Sequence, residues 1–157
     1  MKLLFDLIIL NVFLHGIIAG TSFDVALVKL PTRKRIGPIA YANFARNNDL
    51  GNGIVVYPIL GITTLLLTFG TTLLAFFRDT EFAIMIPLYV SCVFTIAQSL
   101  ITAKAAPIML SLKTTRAEES VLKNKLDRFA FWHSFRAVFQ VLTFASSIWA
   151  LIKIRMI

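Results

Sequence analysis

Residues 82–103 read FAIMIPLYVSCVFTIAQSLITA, twenty-two consecutive positions without a charged side chain. As a helix at ~1.5 Å per residue this stretch is about 33 Å long, enough to cross the roughly 30 Å hydrocarbon core of a bilayer. Three further stretches are long and predominantly apolar, at about 3–30, 54–77 and 129–152, the second of them also free of charge. The expected fold is therefore all-α: an integral membrane four-helix bundle formed by a single domain over residues 1–157. Composition agrees, with 57% hydrophobic residues, 15% charged residues and a mean hydropathy of +0.78. Such values lie outside the range of soluble domains.

The ends of the spans carry the punctuation. Pro31 and the cluster Arg33, Lys34, Arg35 mark the expected end of the first span, and Lys104 and Pro107 that of the third. Arg78, Asp79 and Glu81 form a short turn that makes spans two and three antiparallel neighbours. Residues 38–53 place Tyr41 and Phe44 among Asn, Asp and Arg, which predicts a short interfacial helix in the first loop. Thr115, Arg116, Ala117 and Glu118 read as a capping box, so a helix is expected to start there and continue into the fourth span as a long cytoplasmic extension. Lys2 and the apolar run to Ala19 have the outline of a signal peptide, but Asp6, Asn11 and His15 interrupt it, and it reads as the first span.

Lys and Arg number 16 against 8 Asp and Glu. In a membrane chain that excess faces anionic headgroups rather than nucleic acid, which has no basic soluble domain to dock on. The first and third connections hold eleven basic residues and the opposite side holds four, so both termini are expected outside the cytoplasm. Cys92 stands alone, which excludes an intrachain disulfide and a cysteine metal cluster. No phosphate-binding glycine loop and no Gly-x-Ser-x-Gly elbow is present.

Polar residues inside spans are costly and therefore informative. Asn11 and His15 lie four apart on one helix face, with Asp24 further along the same helix. His133, Arg136 and Gln140 form a second polar stripe on the fourth span, flanked by Trp132. Facing inward, the two stripes enclose a polar cavity. Plainer readings stand beside this one: Arg136 snorkels to the interface with Asp24 as its neutralising partner, His15 is a core histidine bonded to Asn11, and Trp132 and Trp149 are interfacial anchors. Thr64, Thr68 and Thr72 form a stripe whose hydroxyls are expected to bond their own backbone, and Gly61 and Gly70 offer close helix approach. His15, His133 and Asp24 have the composition of a two-His, one-carboxylate metal site, without any short metal-binding spacing.

Taken together, HGIIAGTSFDVALVKLP, YANFARNNDLGNGIVVYPILG, AAPIML and RFAFWHSFRAVFQ resemble the small four-span membrane proteins grouped with fungal anthrone oxygenases, over nearly the whole chain. The chain departs from that pattern after Pro107, where Ile108 and Met109 stand. The resemblance implies cofactor-independent oxidation of a lipophilic aromatic substrate, with no metal and no cofactor. In that chemistry His133 or His15 acts as base, Arg136 holds the developing oxyanion, and Trp132 or Tyr57 stacks on the ring, with Gln140, Asn11 and Asp24 completing the polar wall. The alternatives are a non-catalytic membrane subunit, or homo-oligomer component, that docks a partner through residues 115–128, and a carrier of small lipophiles.

Overall fold

The computed structural model describes residues 1–156, and among them all regular structure is helical. Four helical stretches are long and apolar enough to cross a membrane: Lys2–Ile36, Pro38–Phe77, Phe82–Lys113 and Glu119–Arg155. The first comprises α1 (Lys2–Asp24), a π-helical turn (Val25–Lys29) and α2 (Leu30–Ile36). The second comprises α3 (Pro38–Asn47), a kinked turn (Asn48–Asn52) whose backbone leaves helical geometry at Gly51, and α4 (Gly53–Phe77). Then follow α5 (Phe82–Leu110), one 3₁₀ turn, and α6 (Glu119–Arg155).

The long helices alternate in direction and close a ring in chain order, α1 against α4, α4 against α5, α5 against α6 and α6 against α1. α5 and α6 share the most extensive interface, while α4 is held lightly on both sides. Large apolar side chains such as Phe13, Leu66, Leu100 and Val138 face outward, as expected where the surrounding solvent is hydrocarbon.

The interior is stratified. At the end that carries the termini, Leu4, Ile8, Ala75, Ile84, Leu88, Ala150 and Ile154 form one apolar plug. At the end that carries α3, Leu30, Tyr41, Ala45, Met109, Leu112, Leu122, Leu126 and Phe129 form another. Between the plugs the buried residues include Asn11, His15, Ser22, Thr64, Thr68, Thr95, Gln98, His133 and Thr143. The bundle is thus apolar at its rim and ends and polar at its middle.

Several boundaries differ from the sequence expectation. The first helical stretch does not end at Pro31: the π turn ahead of it resets the helix, and Pro31 falls in the first turn of α2, where no backbone N–H is needed. Helix α5 runs through Pro107 to Leu110 because Ala105 and Met109 are locked into the plug, offsetting the lost hydrogen bond. The capping box at Thr115 does not form. That hydroxyl donates to the Ser111 carbonyl at 2.6 Å, and Glu118, in an extended conformation, is the cap residue of α6.

The early part of α6 is covered rather than bare, since Tyr41 and Ala45 of α3 belong to the same plug as Leu122 and Leu126. Arg46 clamps the α5–α6 connection by donating to the carbonyls of Leu112 at 2.9 Å and Thr115 at 2.7 Å.

Glycines divide by what surrounds them. Gly61 and Gly70 face open space, so they are not the close-approach surface expected of them. Gly16 is: a Cβ there would sit 3.1 Å from the Phe144 ring, whereas Gly20 meets nothing. Gly16→Val is expected to separate α1 from α6 and lower stability by about 1–3 kcal/mol, with Gly20→Ala near neutral, as read by thermal unfolding in detergent. Equal melting temperatures for the two variants would remove the close approach.

Candidate functional site

The α1–α4 seam carries the first polar network. Asn11 Nδ2 donates to Thr71 Oγ1 at 2.8 Å and to the Leu7 carbonyl at 3.0 Å, and its Oδ1 accepts from Thr68 Oγ1 at 3.1 Å. His15 Nε2 lies 2.8 Å from the same Thr68 oxygen. Thr68 has one hydroxyl hydrogen, for which Asn11 Oδ1 and the Thr64 carbonyl at 2.7 Å already compete. Nε2 of His15 must therefore be the donor, which leaves Nδ1 as the basic nitrogen of that ring. The threonine stripe does bond its own backbone: Thr64 to Leu60, Thr68 to Thr64, and Thr72 to Thr68. Thr68 additionally joins two helices.

The second network lies on α6. Nη2 of Arg136 is 2.6 Å from His133 Nδ1, and His133 Nε2 is 3.2 Å from the Ser22 carbonyl of α1. A guanidinium only donates, so Nδ1 accepts and Nε2–H donates to Ser22, fixing one neutral tautomer. Both nitrogens of His133 are thereby engaged. Its role in this arrangement is to aim Arg136, and of the two histidines His15 retains the free basic nitrogen. Arg136 does not snorkel away from the imidazole; its Nε is buried and unpartnered.

Asp24 is not the counter-ion of Arg136. It pairs with Lys29 at 3.2 Å and is half-exposed. The π turn between these residues accounts for the pairing, because its i→i+5 repeat brings positions five apart onto one face. Among the described residues the ion pairs are Lys29–Asp24 and Arg33–Asp127, so no carboxylate lies within ion-pair distance of Arg136. Asp49 is half-buried, and its Oδ1 accepts from the Asn48 amide at 3.0 Å.

Antiparallel register relates the two networks. On α1 and α6, Ser22 meets His133 and Gly16 meets Phe144, which sets His15 between the heights of Gln140 and Ala145, near Thr143. On α5 and α6, Ser91 and Ser146 share a 2.8 Å hydrogen bond, which sets Thr95 level with Leu142 and Gln98 level with Phe139. His15 and Thr68 are bonded directly. His15, Thr68, Thr95 and Thr143 thus form one layer contributed by all four long helices, and Gln98 and Gln140 follow within about a turn toward the α3 end. Arg136 lies ~6 Å and His133 ~10 Å beyond Gln140 along the axis of α6, counted at 1.5 Å per residue. The two stripes share one interior.

Among the described residues, four buried side-chain atoms of this interior have no partner: Thr95 Oγ1, Gln98 Oε1, Arg136 Nε and Gln140 Oε1. Thr95 and Gln98 stand outside the set expected from the sequence. A signal for them exists, since both sit three apart in the middle of a charge-free span, where a polar side chain must be housed. A void of about 10 Å³, room for one water, lies beside Asn11, Thr68, Ser91 and Ser147.

Other expectations are placed differently. Trp132 packs against the apolar plug with Val25 and Ile108, and its ring is occupied there. Trp149 faces outward. Tyr57 is exposed on the outer half of α4, its ring covering Gly53. The set His15, His133 and Asp24 is not assembled, because His133 meets Ser22, about two turns along α1 from His15, and Asp24 is tied to Lys29. Among the described residues no group of three or more His, Cys, Asp or Glu side chains is placed to hold a metal ion. No family model, curated protein or solved structure matches the chain.

Proposed function

We propose that this chain is a multi-pass membrane protein whose polar interior binds a lipophilic aromatic compound bearing an ionisable oxygen and oxidises it with molecular oxygen, without a cofactor. The observation that carries this reading is a half-buried arginine aimed by a histidine, its Nε–H buried and unpartnered, between two apolar plugs. A cation held in a dry interior stabilises an oxyanion far more than it does in water. The resemblance to anthrone oxygenases supplies the reaction type.

The balanced step converts a methylene flanked by activating groups, plus O₂, to a carbonyl and water. His15 Nδ1 takes one C–H proton, and Arg136, further along the interior, receives the enolate oxygen at the other side of the ring system. The carbanion carbon forms a C–O bond with O₂, giving a peroxide that takes the proton back from His15. His15 then removes the second C–H proton, the O–O bond breaks, and the departing hydroxide takes that proton to leave as water. Orientation follows the charge bias: the end with α2, α3 and the start of α6 faces the cytoplasm, α3 lies at the interface, and both termini lie opposite.

The test is oxygen uptake by the protein in lipid nanodiscs given anthrone as probe. Uptake with quinone formation above empty nanodiscs, lost in Arg136→Met, is the expected result. A rate equal to empty nanodiscs overturns the enzymatic reading.

A second reading, a non-catalytic subunit, is favoured by the basic surface of Lys34, Arg35, Lys104, Lys113, Arg116, Lys123 and Arg128, which lies outside the two ion pairs found among the described residues. Lys125 does not belong to that surface, because its Nζ donates to Ser111 Oγ at 2.9 Å and Thr115 Oγ1 at 2.8 Å within its own loop. A K123E/R128E variant that loses a co-purifying partner while Arg136→Met retains it would support docking.

A further inference from the structure

The four unpartnered atoms are not beside the water-sized void. Asn11, Thr68, Ser91 and Ser147, which line that void, all have protein partners. Thr95, Gln98 and Gln140 line neither that void nor the larger outward groove between α1 and α6. Yet an amide oxygen or guanidinium N–H left unpaired away from water costs free energy comparable to a hydrogen bond or more. Thr95 is 1% and Gln98 6% exposed, so bulk solvent does not supply the missing bonds.

The Ser91–Ser146 register orders these atoms along the bundle. Thr95 stands level with Leu142 and Thr143, Gln98 stands level with Phe139 and Gln140, and Arg136 follows one turn beyond. The unpartnered atoms therefore span about two turns, roughly 10 Å, more than a single water bridges.

We propose that Gln98 and Thr95 on α5 complete, with Gln140 and Arg136 on α6, a binding site for a lipophile that carries a hydroxyl donor at one end and an acceptor oxygen about one helical turn away. One of the two amide oxygens, that of Gln98 or Gln140, accepts the hydroxyl hydrogen, and the Arg136 Nε–H donates to the acceptor oxygen. Thr95 adds a hydroxyl that serves either sense. The entrance is at α4, whose positions 54–59 are exposed around the full circumference and whose packing on both neighbours is light. Displacing this half of α4 opens the interior sideways to the hydrocarbon. This site deepens the reading given above, on which it rests for the lipophilic character of the ligand.

The experiment compares binding of decylhydroquinone, its monomethyl ether and its dimethyl ether to the full chain in nanodiscs. Decylhydroquinone is expected to bind about tenfold or more tightly than the dimethyl ether, which offers no donor. In Gln98→Met, close in volume but without the amide, that preference falls to near unity, and Thr95→Val weakens all three probes less. Circular dichroism and thermal unfolding of both variants report whether the fold is kept; if Gln98→Met unfolds, Gln140→Met replaces it. Equal binding of the three probes by the native chain, no binding of any, or an unchanged preference in the folded variant overturns the proposal. Selective hydroquinone binding without oxygen uptake leaves this site standing and removes the oxidation. Arg136-dependent uptake with no effect of Gln98→Met does the reverse.

Discussion

Arg136→Met is expected to lower oxidation of the anthrone probe by roughly 10²–10³-fold, the usual cost of removing one oxyanion donor from a dry site. The same change is expected to leave the melting temperature unchanged or raise it, because a buried cation is poorly compensated and an apolar replacement of similar volume relieves that cost. Opposite movement of rate and stability separates a functional arginine from a structural one. Arg136→Lys recovers only a small part of the rate: an ammonium does not reproduce the fork that holds His133 with Nη2 while leaving Nε–H free. A variant that melts earlier yet turns over normally would place Arg136 among the packing residues.

Thr68→Val is expected to destabilise the bundle by about 1–3 kcal/mol, more than any other single threonine change on α4. Valine keeps the shape but leaves Asn11 Oδ1 and the His15 Nε2–H facing an apolar group. Thr64→Val removes only bonds to its own helix, at the carbonyls of Leu60 and Gly61, and is expected to cost under about 1 kcal/mol. The pair Asn11→Leu and Thr68→Val together is expected to cost less than the sum, because each removes the partner the other leaves unpaired. Unfolding in detergent followed by circular dichroism reads all three. Equal losses for Thr64→Val and Thr68→Val would dissolve the α1–α4 network.

Much of the fold is legible in the sequence because lipid imposes a simple grammar. Predominantly apolar runs of sufficient length, with charged residues gathered at their ends, locate four helices and their alternation. Helix ends are less legible where local signals meet tertiary constraints. Pro31 reads as a stop, but a π turn upstream makes it a start; Pro107 reads as a stop, but Ala105 and Met109 are held in the plug. At the site, Asn11, His15 and His133 are recognisable as inward residues from helical spacing alone, and Arg136 and Gln140 on the same stripe are half-buried. Asp24 escapes such reading because its partner, five residues on, is reachable only through the π turn.

The binding site depends on Gln98 and Gln140 standing at the same height inside the ring, next to the layer that holds His15 and Thr68. A short bifunctional thiol reagent applied to Q98C/Q140C, in a Cys92→Ser background, measures this directly, with S91C/S146C as the reference pair because those hydroxyls are 2.8 Å apart. Cross-linking of both pairs is the predicted result. A linked S91C/S146C beside an unlinked Q98C/Q140C would mean that the two glutamines do not share one interior, and the site would fall with it.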